Sequence, residues 1–177
     1  IAPRFYLPYD TVYNGDEKQV TERYQKWLNQ DLLTVCDGFE NDLNEIADDI
    51  TSDAENLMVK EVPYDEWGGF QIARTIDDAG YTSIKIPKIT KTFSPAMKEV
   101  EAAIAAGRFH HDGNPILSWM IGNVVSKKGA NDTDFPHKEK SFKKIDGAVA
   151  SLMGVSRILT LNSNPEERTL SSHLEKH

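Results

Sequence analysis

Two aspartates in distant parts of the chain occupy positions from which a carboxylate could bind a metal ion. Asp65 follows the apolar stretch LMVKEVPY and precedes Glu66 and Trp67, and Asp146 begins the small and apolar run DGAVASLM. Carboxylate oxygens suit hard divalent cations, and a pair of such ions needs several carboxylates to offset its charge. Two acids are too few for a full two-ion site, so this chemistry requires at least one more.

Each aspartate also has a simpler structural interpretation, which the sequence leaves open. Asp65 or Glu66 could cap a helix that starts near Gly68. Asp146 could be neutralised by neighbouring lysines in surface ion pairs, which contribute little to stability. The metal-binding hypothesis therefore requires the fold to bring the two aspartates together.

A group of lysines near Asp146 could contact nucleic acid. The chain has a formal net charge of −8, but residues 85–144 hold 11 bases and 6 acids, whereas residues 1–66 hold 5 bases and 16 acids. A basic segment beside a carboxylate is consistent with a surface that binds DNA phosphates. Charge alone favours the alternative, a solubilising loop. The candidate DNA-binding residues are Lys127, Lys128, Lys138, Lys140, Lys143 and Lys144.

Several other kinds of chemistry have little support in the sequence. The single cysteine, Cys36, excludes an internal disulfide and a multi-cysteine zinc site. His110 and His111 are adjacent, so on a strand they would point to opposite faces, and a zinc site there is not expected. No glycine-rich phosphate loop occurs, so we do not expect an ATPase. No apolar run approaches a membrane span, and no membrane partner is expected.

Apolar periodicity and turn residues predict strands that alternate with helices. This alternation indicates one α/β domain with helices on both faces of a sheet. In such sheets ligands bind at the carboxyl ends of strands, where Asp65 is predicted to lie. Ser94 is predicted to cap a helix. The sequence predicts strands ending at residue 8 and over residues 32–38, 57–65, 82–89 and 108–111, helices over 16–30, 41–56, 68–80, 94–107, 114–126 and 144–159, and a polar loop over 127–141.

Three longer segments carry a resemblance to a known family: VPYDEWGGFQI, SPAMKEVEAAIAAGRFHHDGNPILSWMIGNVV and PHKEKSFKKIDGAVASLM. The sequence resembles the C-terminal nuclease domain of the large terminase subunit of tailed bacteriophages, from about residue 5 to residue 158. The resemblance implies an RNase H-like α/β fold, with a mixed sheet flanked by helices, over residues 1–161 and a polar tail over residues 162–177.

The resemblance also implies an activity and its participants. It implies an endonuclease that cuts concatemeric double-stranded viral DNA with two Mg²⁺ or Mn²⁺ ions, and it assigns the family's catalytic and metal-binding acids to Asp65 and Asp146. The implied partners are viral DNA, the terminase small subunit and the portal protein, in the cytoplasm of the infected bacterial host. Lys138 matches a recurring position and is expected near the DNA or the acids.

Four further residues match recurring family positions, and we interpret them as structural. We expect a turn at His111, a helix cap at Asn114, a core position at Trp119 and helix packing at Asn123.

The chain departs from the family pattern at its start. Domains of this family open with a strand that carries the first catalytic aspartate, whereas this chain begins near the end of the third strand. We therefore expect an N-terminally incomplete domain that binds metal poorly and cuts DNA weakly or not at all. Two alternatives stay open: a non-catalytic module that binds DNA or docks on the portal, and another RNase H-like nuclease such as a junction resolvase.

Overall fold

The strands of the protein are short and form three separate pairs. A computed structural model describes residues 1–15, 18–129, 132–138 and 143–164. Within these ranges β1 pairs with β2 and β3 with β4, both in parallel, and β5 pairs with β6 in antiparallel fashion. The strands are β1 (Tyr6–Pro8), β2 (Thr34–Cys36), β3 (Glu61–Tyr64), β4 (Thr82–Lys85), β5 (Val124–Lys128) and β6 (Asp134–Lys138).

Helices connect and cover these strand pairs, which confirms the predicted α/β class. No helix in the described part of the chain is both long and apolar enough to span a bilayer. The helices are α1 (Tyr9–Tyr13), α2 (Lys18–Leu28), α3 (Leu43–Leu57), α4 (Glu66–Asp78), α5 (Thr90–Ala105), α6 (Pro115–Gly122) and α7 (Asp146–Ser163).

In the described part of the chain two hydrophobic clusters hold the elements together, and α7 links them. The first cluster packs α2 and α6 against the β1–β2 pair around Trp27 and Ile116. The second packs α5 against α7 around Phe93, which is fully buried, and Leu152. Because α7 contacts α5, α6 and β3, its position depends on both clusters.

The predicted loop over residues 127–141 is wrong, because much of this segment forms the β5–β6 hairpin. The predicted helix over residues 114–126 is also too long, since α6 ends at Gly122 and β5 begins two residues later. The β-branched Val124 and Val125 suit a strand, and they pair with Lys138 and His137. Polar side chains on the exposed positions of both strands concealed this hairpin in the sequence.

The predicted cap at Ser94 is wrong as well. Helix α5 begins at Thr90, and Ser94 is buried within it. The Ser94 hydroxyl accepts a hydrogen bond from the backbone N–H of Asp134 at 3.0 Å. Its polar side chain therefore serves the neighbouring hairpin and not the end of its own helix.

The short strand predicted over residues 108–111 is absent from the described structure. The backbone N–H groups of Arg108 and Phe109 both donate to the carbonyl of Ala103 at the end of α5. Because these donors satisfy the helix end, they are not available for a strand ladder.

The predicted tail at residues 162–177 lies outside the described residues from residue 165 onward, and the domain boundary stays a prediction.

Candidate active site

Asp65 follows β3 directly and is held by contacts to both of its carboxylate oxygens. Oδ1 accepts a hydrogen bond from the backbone N–H of Trp67 at 3.1 Å, so the residue caps α4 as one interpretation predicted. Oδ2 lies 2.5 Å from Nζ of Lys88, and the Asp65 side chain is 27% exposed. The carboxylate is therefore fixed in direction and still reachable from solvent.

The two glycines after Trp67 let the chain turn sharply from β3 into α4. Gly68 has a φ of 91°, a conformation that favours glycine. A Cβ atom on Gly69 would lie 3.0 Å from Cδ2 of Tyr64, so a larger residue there would require the Tyr64 ring to shift. Trp67 itself has non-helical angles (φ −82°, ψ 98°), and the first turn of α4 is kinked there.

Asp146 is placed by the backbone around it. It is an exposed residue in the first turn of α7, where the helix dipole stabilises a negative charge. Asn123 is buried and donates from Nδ2 to the carbonyl of Lys144 at 2.9 Å. A Cβ atom on Gly147 would lie 3.0 Å from Cε1 of Phe5, so the start of α7 packs closely on the segment that leads into β1.

A buried ion pair joins the two elements that carry the aspartates. Arg157 on α7 binds Glu61 at the start of β3 with two contacts, Nε to Oε2 at 2.6 Å and Nη2 to Oε1 at 2.9 Å. The two side chains are only 15% and 10% exposed. Paired contacts of this kind fix relative orientation as well as distance, so this pair sets how α7 lies against β3.

The fold brings both predicted acids to one cavity. Asp65 and Asp146 line a cavity of about 710 Å³ between the end of β3, the hairpin and the start of α7. The cavity has more basic than acidic side chains. Its charged and aromatic lining includes Asp65, Trp67, Lys88, Phe93, Phe135, His137, Lys138, Lys143, Lys144 and Asp146.

Five of the six predicted DNA-binding lysines are described, and they divide into two groups. Lys138, Lys143 and Lys144 line the cavity of the two aspartates. Lys127 and Lys128 lie on β5 and line a neighbouring cavity of about 440 Å³, which shares Lys88 and Phe135 with the first. Lys140 lies outside the described residues. Half of the predicted group is therefore placed beside the acids.

Lys88 contacts Asp65 but was not among the predicted site residues. It follows β4, the parallel neighbour of β3, by three residues. The carboxyl ends of adjacent parallel strands lie at the same edge of a sheet. That rule, applied to the segment KIPK near the end of the strand predicted over residues 82–89, was the signal in the sequence that could have identified Lys88.

Asp134 on β6 is a further acid near the lysines, but it belongs to the hairpin itself. It is buried and accepts hydrogen bonds from Nζ of Lys128 at 2.8 Å and from the hydroxyl of Ser126. The bond from Lys128, followed by that from Ser126, lowers the pKa of the Asp134 carboxyl from its usual value. Asp134 does not line the cavity of Asp65 and Asp146.

The oxygen chemistry of the site fits a hard divalent cation, but the number of acids does not complete a two-ion site. Asp65 and Asp146 offer carboxylate oxygens, the ligand type that Mg²⁺ and Mn²⁺ prefer. Among the residues that the structure describes, no three histidine, cysteine or acidic side chains lie close enough together to hold a metal ion. The described residues alone therefore do not form a complete two-ion site.

The structural roles predicted for Asn114 and Trp119 are confirmed, whereas the turn expected at His111 stays a prediction. His111 accepts a hydrogen bond at Nδ1 from the backbone N–H of Gly113 at 3.0 Å. Asn114 caps α6 through Oδ1. Trp119 packs against the first cluster, with its ring 5.4 Å from that of Trp27 and the Arg23 guanidinium 4.9 Å above it. Asn123, predicted to pack between helices, bonds through its amide to the carbonyl of Lys144, two residues before Asp146.

The sequence matches a described protein family and is similar to known proteins. The family described as terminase large subunit, endonuclease domain, matches residues 6–161. Protein YmfN of Escherichia coli (strain K12) is 42% identical over 182 aligned residues, which cover 100% of this chain and 39% of the relative. The large terminase subunit of Enterobacteria phage HK97 is 26% identical over 159 residues, which cover 88% of this chain and 31% of that protein.

A solved structure agrees with the sequence comparison. The crystal structure of the HK97 bacteriophage large terminase matches 86% of this chain and 32% of its own, with a TM-score of 0.75 and 25% identity. This match confirms the fold that the resemblance implied. The chain spans about a third of the length of the relatives it matches, between 31% and 39%. It belongs to the family of terminase large-subunit endonuclease domains.

Proposed function

We propose that this domain is a metal-dependent endonuclease that cuts concatemeric double-stranded viral DNA during packaging, in the cytoplasm of an infected bacterium. One observation carries the proposal: Asp65 and Asp146, from distant parts of the sequence, line one cavity together with Lys138, Lys143 and Lys144. Family membership supports the reaction class. In the complete protein the domain would act with the terminase small subunit and the portal protein.

The residues of the cavity have distinct proposed roles. Asp65 and Asp146 bind Mg²⁺ or Mn²⁺, and Lys138, Lys143 and Lys144 bind the phosphates on either side of the cleaved bond. When bound, such ions activate a water molecule and stabilise the leaving oxygen. Lys88 keeps the Asp65 carboxylate directed and partly neutralised.

A full two-ion site needs at least one further carboxylate. Since the chain spans only 31–39% of its relatives, we propose that another part of the complete protein supplies it. Cleavage by this chain and by a version extended before Ile1, both with Mn²⁺, tests this point. Equal activity of the two would contradict a carboxylate supplied from the preceding segment.

The main test compares variants of the two aspartates in the complete protein. Asp65→Asn and Asp146→Asn should each lower plasmid cleavage by more than about 100-fold, because loss of groups that merely support a metal ligand already costs about 10- to 100-fold. Asp48→Asn, at an exposed position on α3, is the matched control and should cleave like the original protein. Chelation with EDTA should abolish cleavage. Retained cleavage by Asp146→Asn would overturn the proposal.

One observation favours a second function, a non-catalytic module that holds DNA. Asp65 is already paired with Lys88 at 2.5 Å, and the described part of the chain contains no three-residue metal group. Titration with Mn²⁺, followed by electron paramagnetic resonance, separates the two functions. Binding that is lost in Asp65→Asn and Asp146→Asn supports the nuclease, whereas DNA binding without any Mn²⁺ binding by the complete protein supports the holding module.

A further inference from the structure

Trp67 is exposed to an unusual degree for an indole. Its exposed fraction is 83%, the highest among the large hydrophobic side chains of the described residues. The other two tryptophans, Trp27 and Trp119, pack against the first hydrophobic cluster. A large aromatic side chain gains substantial free energy when it leaves water, so a partner that covers this ring would be stabilised by the contact.

The local backbone holds this ring outward. The non-helical angles of Trp67 and the positive φ of Gly68 open the first turn of α4 at this point. The Trp67 backbone N–H donates to the Asp65 carboxylate at 3.1 Å. The ring and the candidate metal ligand are therefore anchored to the same short turn.

The surroundings of Trp67 indicate the chemistry of its partner. The ring lines the same cavity as Lys88, Lys138, Lys143 and Lys144. Lysines that attract a phosphate backbone, next to an aromatic ring that accepts a flat base, are the combination by which proteins bind unpaired nucleic-acid strands. An acidic protein partner would pair with the lysines, but its carboxylates would not stack on the neighbouring ring.

We propose that Trp67 stacks on an unpaired base of the DNA strand whose phosphates contact Lys138, Lys143 and Lys144. This inference rests on the DNA-binding part of the proposed function. Stacking on an indole is tolerant of base identity, so Trp67 selects an opened or frayed strand and not a sequence. It places that strand beside Asp65.

The test measures the affinity of this chain for two DNA ligands: a blunt duplex, and the same duplex with a single-stranded overhang. The original chain should prefer the overhang, and Trp67→Ala should bind it about tenfold more weakly, because base–aromatic stacking contributes about 1–3 kcal/mol and about 1.4 kcal/mol corresponds to tenfold. Trp67→Phe should restore most of the preference. Phe70→Ala is the matched control, since Phe70 is 69% exposed on the same helix but does not line the cavity.

Fluorescence gives a second readout. Overhang DNA should change the emission of the original chain, whereas Trp67→Phe, which keeps Trp27 and Trp119, should bind the same DNA without that change. Equal overhang affinity in Trp67→Ala and the original chain, or no preference of the original chain for the overhang, would overturn the inference.

A lysine variant separates failure of this inference from failure of the proposed function. Combined Lys138→Ala, Lys143→Ala and Lys144→Ala should weaken binding to both ligands. If it does so while Trp67→Ala binds like the original chain, the DNA contact stands and the role of the indole is wrong. If the lysine variant binds both ligands as well as the original chain does, or if the original chain binds neither, the proposed DNA contact fails and the inference fails with it.

Discussion

Asp65 and Asp146 line the same cavity, but different kinds of contact hold them. The Asp65 carboxylate is bound through both oxygens, to the Trp67 backbone and to Lys88. The Asp146 carboxylate makes no hydrogen bond or ion pair with the residues that the structure describes, and its place is set by the buried Asn123 and the close packing of Gly147.

This difference separates two ways to build one site. A carboxylate that makes its own hydrogen bonds and ion pairs, as Asp65 does, contributes to the fold. Its replacement should therefore alter stability as well as chemistry. A carboxylate positioned by backbone packing can be replaced with little effect on the fold, but it depends on residues that never contact the cavity. Four experiments examine these two arrangements.

The largest effect is expected at Glu61, whose ion pair with Arg157 joins β3 to α7 and thereby links the two aspartates. Glu61→Gln should lower the free energy of unfolding by about 3 kcal/mol, because it weakens two charge-assisted hydrogen bonds, and a hydrogen bond to a charged group contributes about 1.5–3 kcal/mol. Urea denaturation measures this loss, and Glu55→Gln, exposed on α3, is the control. A loss below about 1 kcal/mol would place this pair with the weak surface pairs.

An intermediate effect is expected at Asn123, which supports Asp146 without reaching the cavity. Asn123→Ala removes the hydrogen bond to the Lys144 carbonyl, which contributes about 0.5–1.5 kcal/mol, and also the packing of a buried side chain. Unfolding in urea should show this loss, and DNA cleavage by the complete protein should fall although Asp146 is intact. The exposed Asn44→Ala on α3 serves as the control. Unchanged cleavage would mean that other contacts suffice to place Asp146.

A direct comparison of the two aspartates should give smaller effects on stability. Asp65→Ala removes a helix cap, which costs about 1 kcal/mol, together with the pair to Lys88. Asp146→Ala removes only a favourable charge at a helix start, worth about 0.3–1 kcal/mol. Thermal unfolding of both variants shows which one loses more stability. Asp65→Asn keeps an oxygen that can cap α4 but removes the charge, so it separates these two contributions. If Asp146→Ala were the less stable variant, the proposed contrast would be wrong.

The smallest effect concerns acid stability and a third acid, Asp134, which like Asp65 is held by side chains. Its pKa is lowered by the bond from Lys128 and then by that from Ser126. A lowered pKa in the folded state stabilises the protein above the unfolded value of about 3.9, and this stabilisation is lost as the pH falls through the folded value. Asp134→Asn should therefore flatten the dependence of stability on pH below about pH 4. An unchanged acid profile would exclude this contribution.

The sequence predicted the parts of the site that depend on local patterns. The apolar run before Asp65 predicted a strand end, and the small and apolar residues after Asp146 predicted the helix that it begins. Asn114 followed by Pro115 predicted the start of α6, because an amide cap followed by proline is a local signal. These signals need no knowledge of the rest of the chain.

Other parts could not be predicted because they depend on contacts between distant segments. The pair of Arg157 and Glu61 joins positions 96 residues apart, and nothing in either local sequence identifies the partner. Ser94 looked like a helix cap because its use by Asp134 depends on a hairpin 40 residues away. The hairpin was missed because its strands carry polar residues on their exposed face, as loops do.

Helix α7 has a geometric consequence for the precision of the site. Asp146 and Arg157 lie eleven residues apart on it, which corresponds to about 16 Å along a helix axis. If the salt bridge were the only fixed point, a tilt of about 5° would displace the carboxylate by about 1.4 Å, and errors of about 1 Å can cost roughly 100-fold in rate. A single distant anchor would therefore be too coarse for catalysis. Asn123 and Gly147 hold the start of α7 beside Asp146, so they limit the displacement that a tilt about the distant salt bridge would cause.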